Sequence, residues 1–271
     1  FLIAPLFAII PISFSVSPFM VFTEGMLAWP PDPEAWSIRW YKNMIGDCSA
    51  DVVSSTVPCS TKWMVGTVNS FYIGIIATVI ATALGTLAAL GLSRPHMPYK
   101  GLIMAILISP MIVPLIITAA GMFFFYARIN LVYTFTGVIL AHVALATPFV
   151  VITVTATLVG FDMNMVKAAQ SLGAKPMRTF FKVIMPLILP GIISGALFAF
   201  ITSFDEVVIV MFMASIDQLT IPKQMWAGIR QEISPVILCM ATCLVLLSIF
   251  LLTTVELLRR RSEKLRGIKA R

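Results

Sequence analysis

The sequence predicts an all-α integral membrane protein, and three observations lead to that class. Residues of the set AVILMFWYC make up 59% of the 271-residue chain, above the roughly 45–50% typical of soluble domains. Only 11% of residues are charged, and mean hydropathy is +0.98. The 19 Lys and Arg and 12 Asp and Glu fall in short clusters, leaving apolar runs between them. Most of those runs reach the ~20 residues that a bilayer-spanning helix needs. A soluble domain of this length would need a charged surface that this composition does not supply.

Six apolar stretches read as spans: residues 1–16, 65–92, 102–125, 134–158, 191–213 and 235–258. The first is short and opens on Phe1 rather than Met, already inside an apolar run. It reads as a truncated first span whose native start lies upstream. A cleaved signal peptide has a shorter apolar region and would not precede five further spans.

Orientation follows from where the cations lie. With the C-terminus in the cytoplasm, the inner segments are 93–101, 159–190 and the tail 259–271, with two, four and seven basic residues. The outer segments hold the other six (Arg39, Lys42, Lys62, Arg128, Lys223 and Arg230) over a greater length. This asymmetry is the positive-inside pattern. The net charge of +7 therefore needs no nucleic-acid partner, because the cations stand at membrane exits beside anionic headgroups.

The outer segment 17–64 is different in kind. It carries Pro18, Pro30, Pro31, Pro33 and Pro58 and the amphipathic stretch WSIRWYKNM. Trp36, Trp40, Tyr41 and Met44 fall near one helical face there, which predicts a short helix at the membrane–water boundary. Cys48 and Cys59 lie in the same segment. In an oxidising compartment a disulfide between them is favoured over two free thiols, closing a small loop worth about 2–3 kcal/mol. Cys239 and Cys243, four apart in the last span, read as buried apolar side chains.

Catalytic signatures are missing. The sequence has no G-x-x-x-x-G-K-[ST] loop to cradle nucleotide phosphates, and its two histidines, His96 and His142, are far apart and make no metal site. The glycines of GTLAALG, Gly85 and Gly91, sit in an apolar helix and suit close helix packing. Any chemical energy used by this chain would come from another.

Between the fourth and fifth spans, residues 162–190 read as a short helix, a turn and a second short helix ending at the membrane. Asp162 can cap the first helix, Gly173 can stop it and Pro176 follows. Met163, Val166, Ala169 or Gln170, and Gly173 form a stripe at three-to-four spacing, predicted to face away from the bilayer. Such a helix either folds back on its own bundle or docks a cytoplasmic partner.

KAAQSLGA followed by IMPLILPGI resembles the E-A-A-x-x-x-G-x(9)-I-x-L-P loop of inner-membrane permeases in binding-protein-dependent ATP-binding-cassette importers. Ala168, Ala169 and Gly173 match, Leu189 and Pro190 repeat the closing L-P at a longer spacing than the motif's, and the resemblance extends over nearly the whole chain. It implies that Met163, Val166, Lys167, Ala168, Ala169, Gln170 and Gly173 couple this chain to a separate ATPase. Lys167 departs from the pattern, standing where the motif has glutamate. That reversal would repel a basic groove residue, so the partner's groove is expected to differ there. ISPMIVP, HVALATPFVVITV, SFDEVVIVMF and QEISPVILCMATCLVLLSIF are similar to the second permease subunit of the spermidine/putrescine branch.

The polar residues that could line a path are few. Asp205 and Glu206 are adjacent carboxylates in an apolar span, costly to place in lipid. At 1.5 Å per residue they lie about 21–23 Å along a helix from Gly191, towards the outer half. Neighbours point ~100° apart, so one is expected to face the path while the other caps or pairs at its edge. A cationic amine would gain a charge-assisted hydrogen bond from either and a π face from Phe204; the alternative is an inter-subunit salt bridge or gate contact. Ser109 is a further candidate for the path, and beside it Pro110 and Pro114 interrupt the third span, either as a packing kink or as freed backbone lining a wet cavity.

The expected protein is thus a pore-forming permease that crosses a bacterial inner membrane about six times. The resemblance implies a second, homologous permease chain, two ATPase subunits holding ATP and Mg, and a periplasmic solute-binding protein. It implies no cofactor and no metal on this chain. The resemblance implies import of a polyamine or a related amine or amino-acid-like compound, with an opine, 4-aminobutyrate or ferric iron as the alternative cargo. The rival class is an ion-coupled secondary transporter, which needs inverted repeats and intramembrane ion-coupling groups. The sequence offers only Asp205 and Glu206.

Overall fold

A computed structural model describes residues 4–47, 61–94, 96–159, 164–231 and 234–265. Cys48, Cys59, Asp162 and Met163 lie outside the described residues, so the disulfide and the first cap are placed by sequence alone. The architecture is helical throughout, with one isolated antiparallel bridge, between Ser15 and Trp36, among the described residues. The chain divides into two compact units, residues 1–68 with 219–271, and residues 69–218.

The first unit holds α1 (Ala4–Ser13), α2 (Glu24–Leu27), a 3-10 turn (Pro33–Ala35), α3 (Arg39–Met44) and the start of α4 (Lys62–Leu92), and resumes later in the chain. Its outer segment is ordered by main-chain pairing. Val16 N–H donates to Ala35 O at 3.1 Å and Ser37 N–H to Phe14 O at 2.7 Å. The aromatics of WSIRWYKNM do not all face a membrane boundary as predicted. Trp40 is buried and its indole N–H donates to Ser15 O at 2.8 Å, while the Tyr41 and Ser13 hydroxyls lie 2.7 Å apart. Indole and phenol bury their rings where a polar partner is in reach, and the short α3 turns both inward.

The second unit continues α4 and adds α5 (Lys100–Ile112), α6 (Leu115–Arg128), α7 (Phe135–Val159), α8 (Asn164–Ser171), α9 (Pro176–Thr179), a π-helical turn (Phe180–Ile184), α10 (Met185–Phe204) and α11 (Val208–Met213). The buried centre is α7, whose Val138, Ala141, Ala146, Val150 and Val154 are shut off from solvent. It packs along α10. Back in the first unit, α12 (Ile221–Gln231) and α13 (Val236–Leu265) complete the chain. There the Cys239 thiol lies 3.3 Å from Ser13 O, and both it and Cys243 are free.

Among the described residues, four helices are long and apolar enough to cross a membrane: Lys62–Leu92, Phe135–Val159, Pro176–Phe204 and Val236–Thr254. Two of the expected spans differ in form. The third is not one rod: α5 and α6 pass the same test together but are bent by 103°. Val113 takes the extended conformation at that break, as a residue before proline prefers, and Pro114 has no N–H to continue the ladder. The fifth does not begin at residue 191. The α9, π-turn and α10 segments run on as one 29-residue helix from Pro176, and it ends at Phe204, short of the expected 213. Among its described residues the first stretch forms the ten-residue α1.

Small residues let these helices approach. On α10, Gly191, Gly195, Ala199 and Ser203 recur every four residues and are all buried. A Cβ on Gly195 would stand 2.5 Å from Thr153 Oγ1 and 3.0 Å from Val150 Cα. From the other side, a Cβ on Gly85 of α4 would stand 2.6 Å from Val150 Cβ. Gly85 thus packs closely, as the sequence suggested. Gly91 does not, since nothing lies within 4 Å of its Cβ position. Threonine hydroxyls along the interface donate to carbonyls one turn back, Thr153 to Phe149 O at 2.9 Å and Thr157 to Thr153 O at 2.9 Å. Such back-bonding satisfies a hydroxyl where no water is available.

Candidate functional site

Two places gather the predicted functional residues, and both lie in the second unit. The first is α8. Its C-terminus closes in a Schellman arrangement: Gly173 has φ +78°, its N–H donates to Gln170 O at 2.9 Å and Ala174 N–H donates to Ala169 O at 3.0 Å. A left-handed residue at this position lets the last carbonyls find donors, and glycine adopts it without the strain that a Cβ brings. Gly173 therefore stops the helix, and the chain re-enters a helix at Pro176.

The exposed face of α8 differs from the predicted stripe. Val166 and Ala169 are partly buried, so they face the protein, where α8 packs on α9 and the π-turn. The outward surface carries Lys167, Ala168 and Ser171, with Gln170 on one flank and Met165 and Leu172 on the other. Leu172 is 89% exposed and Met165 48%. The physical reason is the short turn at Gly173: it folds α8 back onto the start of the long helix, which takes up the branched Val166.

The second place is the break between α10 and α11. Asp205 and Glu206 do not sit within a continuous helix, as the sequence led us to expect. Asp205 is the C-cap of α10, its side chain exposed. Glu206 is 7% exposed, and its Oε1 accepts the backbone N–H of Ile209 at 2.9 Å. Its carboxylate thus satisfies one of the donors that a new helix leaves unpaired. Two carboxylates on one apolar rod would have to meet lipid. Opening the helix instead gives one of them backbone donors and leaves the other at a helix C-terminus.

Phe204 belongs to an aromatic cluster. Its ring centroid lies 5.1 Å from that of Phe71 on α4 and 5.3 Å from that of Phe200 one turn earlier. Gly74 leaves room for it, since a Cβ there would stand 3.3 Å from the Phe200 ring. The sequence reading missed Phe71 and Phe200. The Phe200–Phe204 spacing of four was a usable signal, whereas Phe71 had none, being joined only by tertiary packing. Ser109 is not part of this cluster: its hydroxyl is exposed on α5 and donates to Ile106 O at 2.8 Å.

A buried pair stands just before the break. His142 Nδ1 lies 2.8 Å from Ser203 Oγ, fastening α7 to the last turn of α10, and His142 is 1% exposed. The ring is a hydrogen-bonded packing element. No group of three or more His, Cys, Asp or Glu able to hold a metal occurs among the described residues.

Comparison with known proteins places this arrangement. Residues 81–264 match the family described as the binding-protein-dependent transport system inner membrane component, a stretch that spans α8 and the α10–α11 break. The chain belongs to this family. Among similar proteins is a spermidine/putrescine transport system permease protein of Haemophilus influenzae, 30% identical over 72% of this chain and 76% of its own length. A putrescine transport system permease protein of Escherichia coli is 28% identical over 89% of this chain and 80% of its own. Among solved structures, a bacterial ABC transporter that imports the acidic polysaccharide alginate superposes with a TM-score of 0.65 at 14% identity, covering 96% of this chain and 90% of that one. The MetNI methionine ABC transporter superposes with a TM-score of 0.53 at 19% identity, over 76% of this chain and 95% of that one. These two share the fold. This member of the binding-protein-dependent permeases is an all-α, multi-pass inner-membrane subunit of an ABC importer.

Proposed function

We propose that this permease imports a small cationic solute of the polyamine class, moving it by alternating access. The observation that carries the cation is the end of α10. A helix C-terminus bears partial negative charge, Asp205 adds a carboxylate, and Phe71, Phe200 and Phe204 add π faces that attract ammonium groups. All three favour positive charge at a point where an apolar helix breaks. The polyamine names of the relatives support the same reading. An opine, 4-aminobutyrate or ferric iron is the alternative cargo. Ion-coupled transport is supported less well, because Glu206 is already committed to the Ile209 N–H.

In this reading a second homologous permease chain completes the pore, and two ATPase subunits dock on the α8 helices. ATP and Mg are held by those subunits, and a periplasmic solute-binding protein delivers the cargo. The basic tail lies in the cytoplasm, and six crossings include α1 and the bent α5–α6 pair. This chain carries out no bond chemistry; it shifts between inward and outward openings as the ATPases close.

Two measurements test the assembly. Purification of the tagged chain from its own host should bring down a nucleotide-hydrolysing subunit, and recovery without one would argue against the importer. Gly173→Asp should abolish transport-coupled ATPase activity while all subunits still express. No side chain or backbone atom crowds that position, so the change acts through a left-handed residue, at a cost of about 1–2 kcal/mol, and an added charge. Coupling at the wild-type level would remove α8 from the docking role. The cargo itself is settled by identifying the ligand of the cognate solute-binding protein.

A further inference from the structure

We infer that His142 is a positioning residue of the cargo path: through Ser203 it sets the direction in which the last turn of α10 presents the Asp205 carboxylate. The inference rests on the cargo role proposed for Asp205 and adds the group that aims it.

The row of small residues on α10 changes character at its C-terminal end. Gly191, Gly195 and Ala199 offer α7 no polar side chain, whereas the fourth member, Ser203, offers a hydroxyl. Hydroxyls on α7 are spent on their own helix: Thr147 donates to Val143 O at 2.7 Å and Thr153 to Phe149 O at 2.9 Å. Ser203 Oγ instead reaches across to His142, 2.8 Å from its Nδ1. Along the glycines the two helices are held by close packing, which limits their approach. A hydrogen bond is also directional, so the one at Ser203 fixes the last turn about its own axis.

The chemistry of the ring points the same way. His142 is 1% exposed, and its Nε2 has no hydrogen-bond partner among the described residues. A stranded buried nitrogen is costly, and an apolar ring would fill the same space without that cost. What histidine adds here is the bond that Nδ1 makes.

Helix geometry carries that bond to Asp205. Successive residues turn ~100° about the axis, so Asp205 lies roughly 200° round from Ser203, nearly opposite α7. Ser203 is buried and Asp205 exposed, as that angle requires. The Asp205 N–H still donates to Ile201 O, so this residue turns with the helix. Rotating the last turn by ~20° would carry a carboxylate at the helix surface about 2 Å. A charge-assisted hydrogen bond to a cargo does not survive such a shift.

The test counts putrescine imported per ATP hydrolysed by the complete transporter with its solute-binding protein in proteoliposomes, with thermal melting beside it. His142→Phe keeps an aromatic ring and deletes the bond, while Ser203→Ala deletes it and keeps the small-residue row. Each should lower the ratio about fivefold, and the double variant should be no worse than either single one. His142→Asn places a polar atom where Nδ1 stands and should recover most of the loss. A lower yield of folded transporter with the ratio unchanged overturns the inference, because a packing residue lowers import and ATP hydrolysis together. Additive losses in the double variant overturn it as well. Asp205→Asn in the same assay separates this inference from the reading beneath it. If Asp205→Asn lowers the ratio and Ser203→Ala does not, the cargo role stands and the positioning role falls. If Asp205→Asn leaves the ratio unchanged, or the wild type imports no putrescine, the cargo reading falls and the positioning role falls with it.

Discussion

Gly195→Val is expected to prevent the second unit from folding. Its new Cβ would meet Thr153 Oγ1 at 2.5 Å and Val150 Cα at 3.0 Å, and the second of these is backbone, which cannot swing away. Val150 has no slack on its other side either, because Gly85 of α4 is packed against it. Overpacking of a close interface costs about 1–3 kcal/mol where neighbours can give. With two more methyl groups between helices already in contact, the loss should be at the upper end or above. The check is size-exclusion and melting of the purified transporter: little monodisperse protein for Gly195→Val, against normal yield for Gly91→Ala and Gly121→Ala, whose Cβ positions have nothing within 4 Å. A normal melting temperature for Gly195→Val would mean that α7 and α10 do not pack this closely.

Asp205 and Glu206 should separate into one functional and one structural carboxylate. Asp205→Asn is expected to lower transport at least tenfold with the melting temperature unchanged. A charge-assisted hydrogen bond contributes about 1.5–3 kcal/mol, and the exposed Asp205 side chain holds nothing else in place. Glu206→Ala is expected to lower stability by about 1–2 kcal/mol, since it leaves the Ile209 N–H without its acceptor. Glu206→Gln keeps an oxygen there and should recover most of that loss. Transport assays in proteoliposomes beside thermal melts read both effects. If Asp205→Asn transports normally, the carboxylate belongs to a gate or to a contact with the second permease, and the aromatic cluster loses its assignment to the cargo.

Much of this was legible in the residues. The membrane class needed only composition, because lipid demands long apolar helices. The end of α8 was legible as well: Gly173 and Pro176 are local signals, and their meaning does not depend on what packs nearby. The small-residue row on α10 was readable too, at residues 191, 195, 199 and 203, whereas of the two glycines that bound GTLAALG only Gly85 packs closely. The outward face of α8 was not legible, because a short helix with apolar residues on two sides does not say which side meets its own protein. The aromatic cluster was out of reach for a related reason. Phe71 is more than a hundred residues from Phe204, and nothing in the apolar sequence of α4 singles it out.

The residues alone therefore determined that this chain is helical and membrane-embedded, where its cations gather, and which short helix carries the permease motif. These depend on transfer free energies and backbone preferences, which act residue by residue. Tertiary structure decided which carboxylate is committed. Asp205 and Glu206 are adjacent and chemically alike, and only the opening of the helix between Phe204 and Val208 gives Glu206 a backbone donor while leaving Asp205 exposed at the end of α10. A helix break in an apolar run has no proline to announce it here; the backbone leaves the helix after Phe204, and Glu206 accepts from the start of the next one.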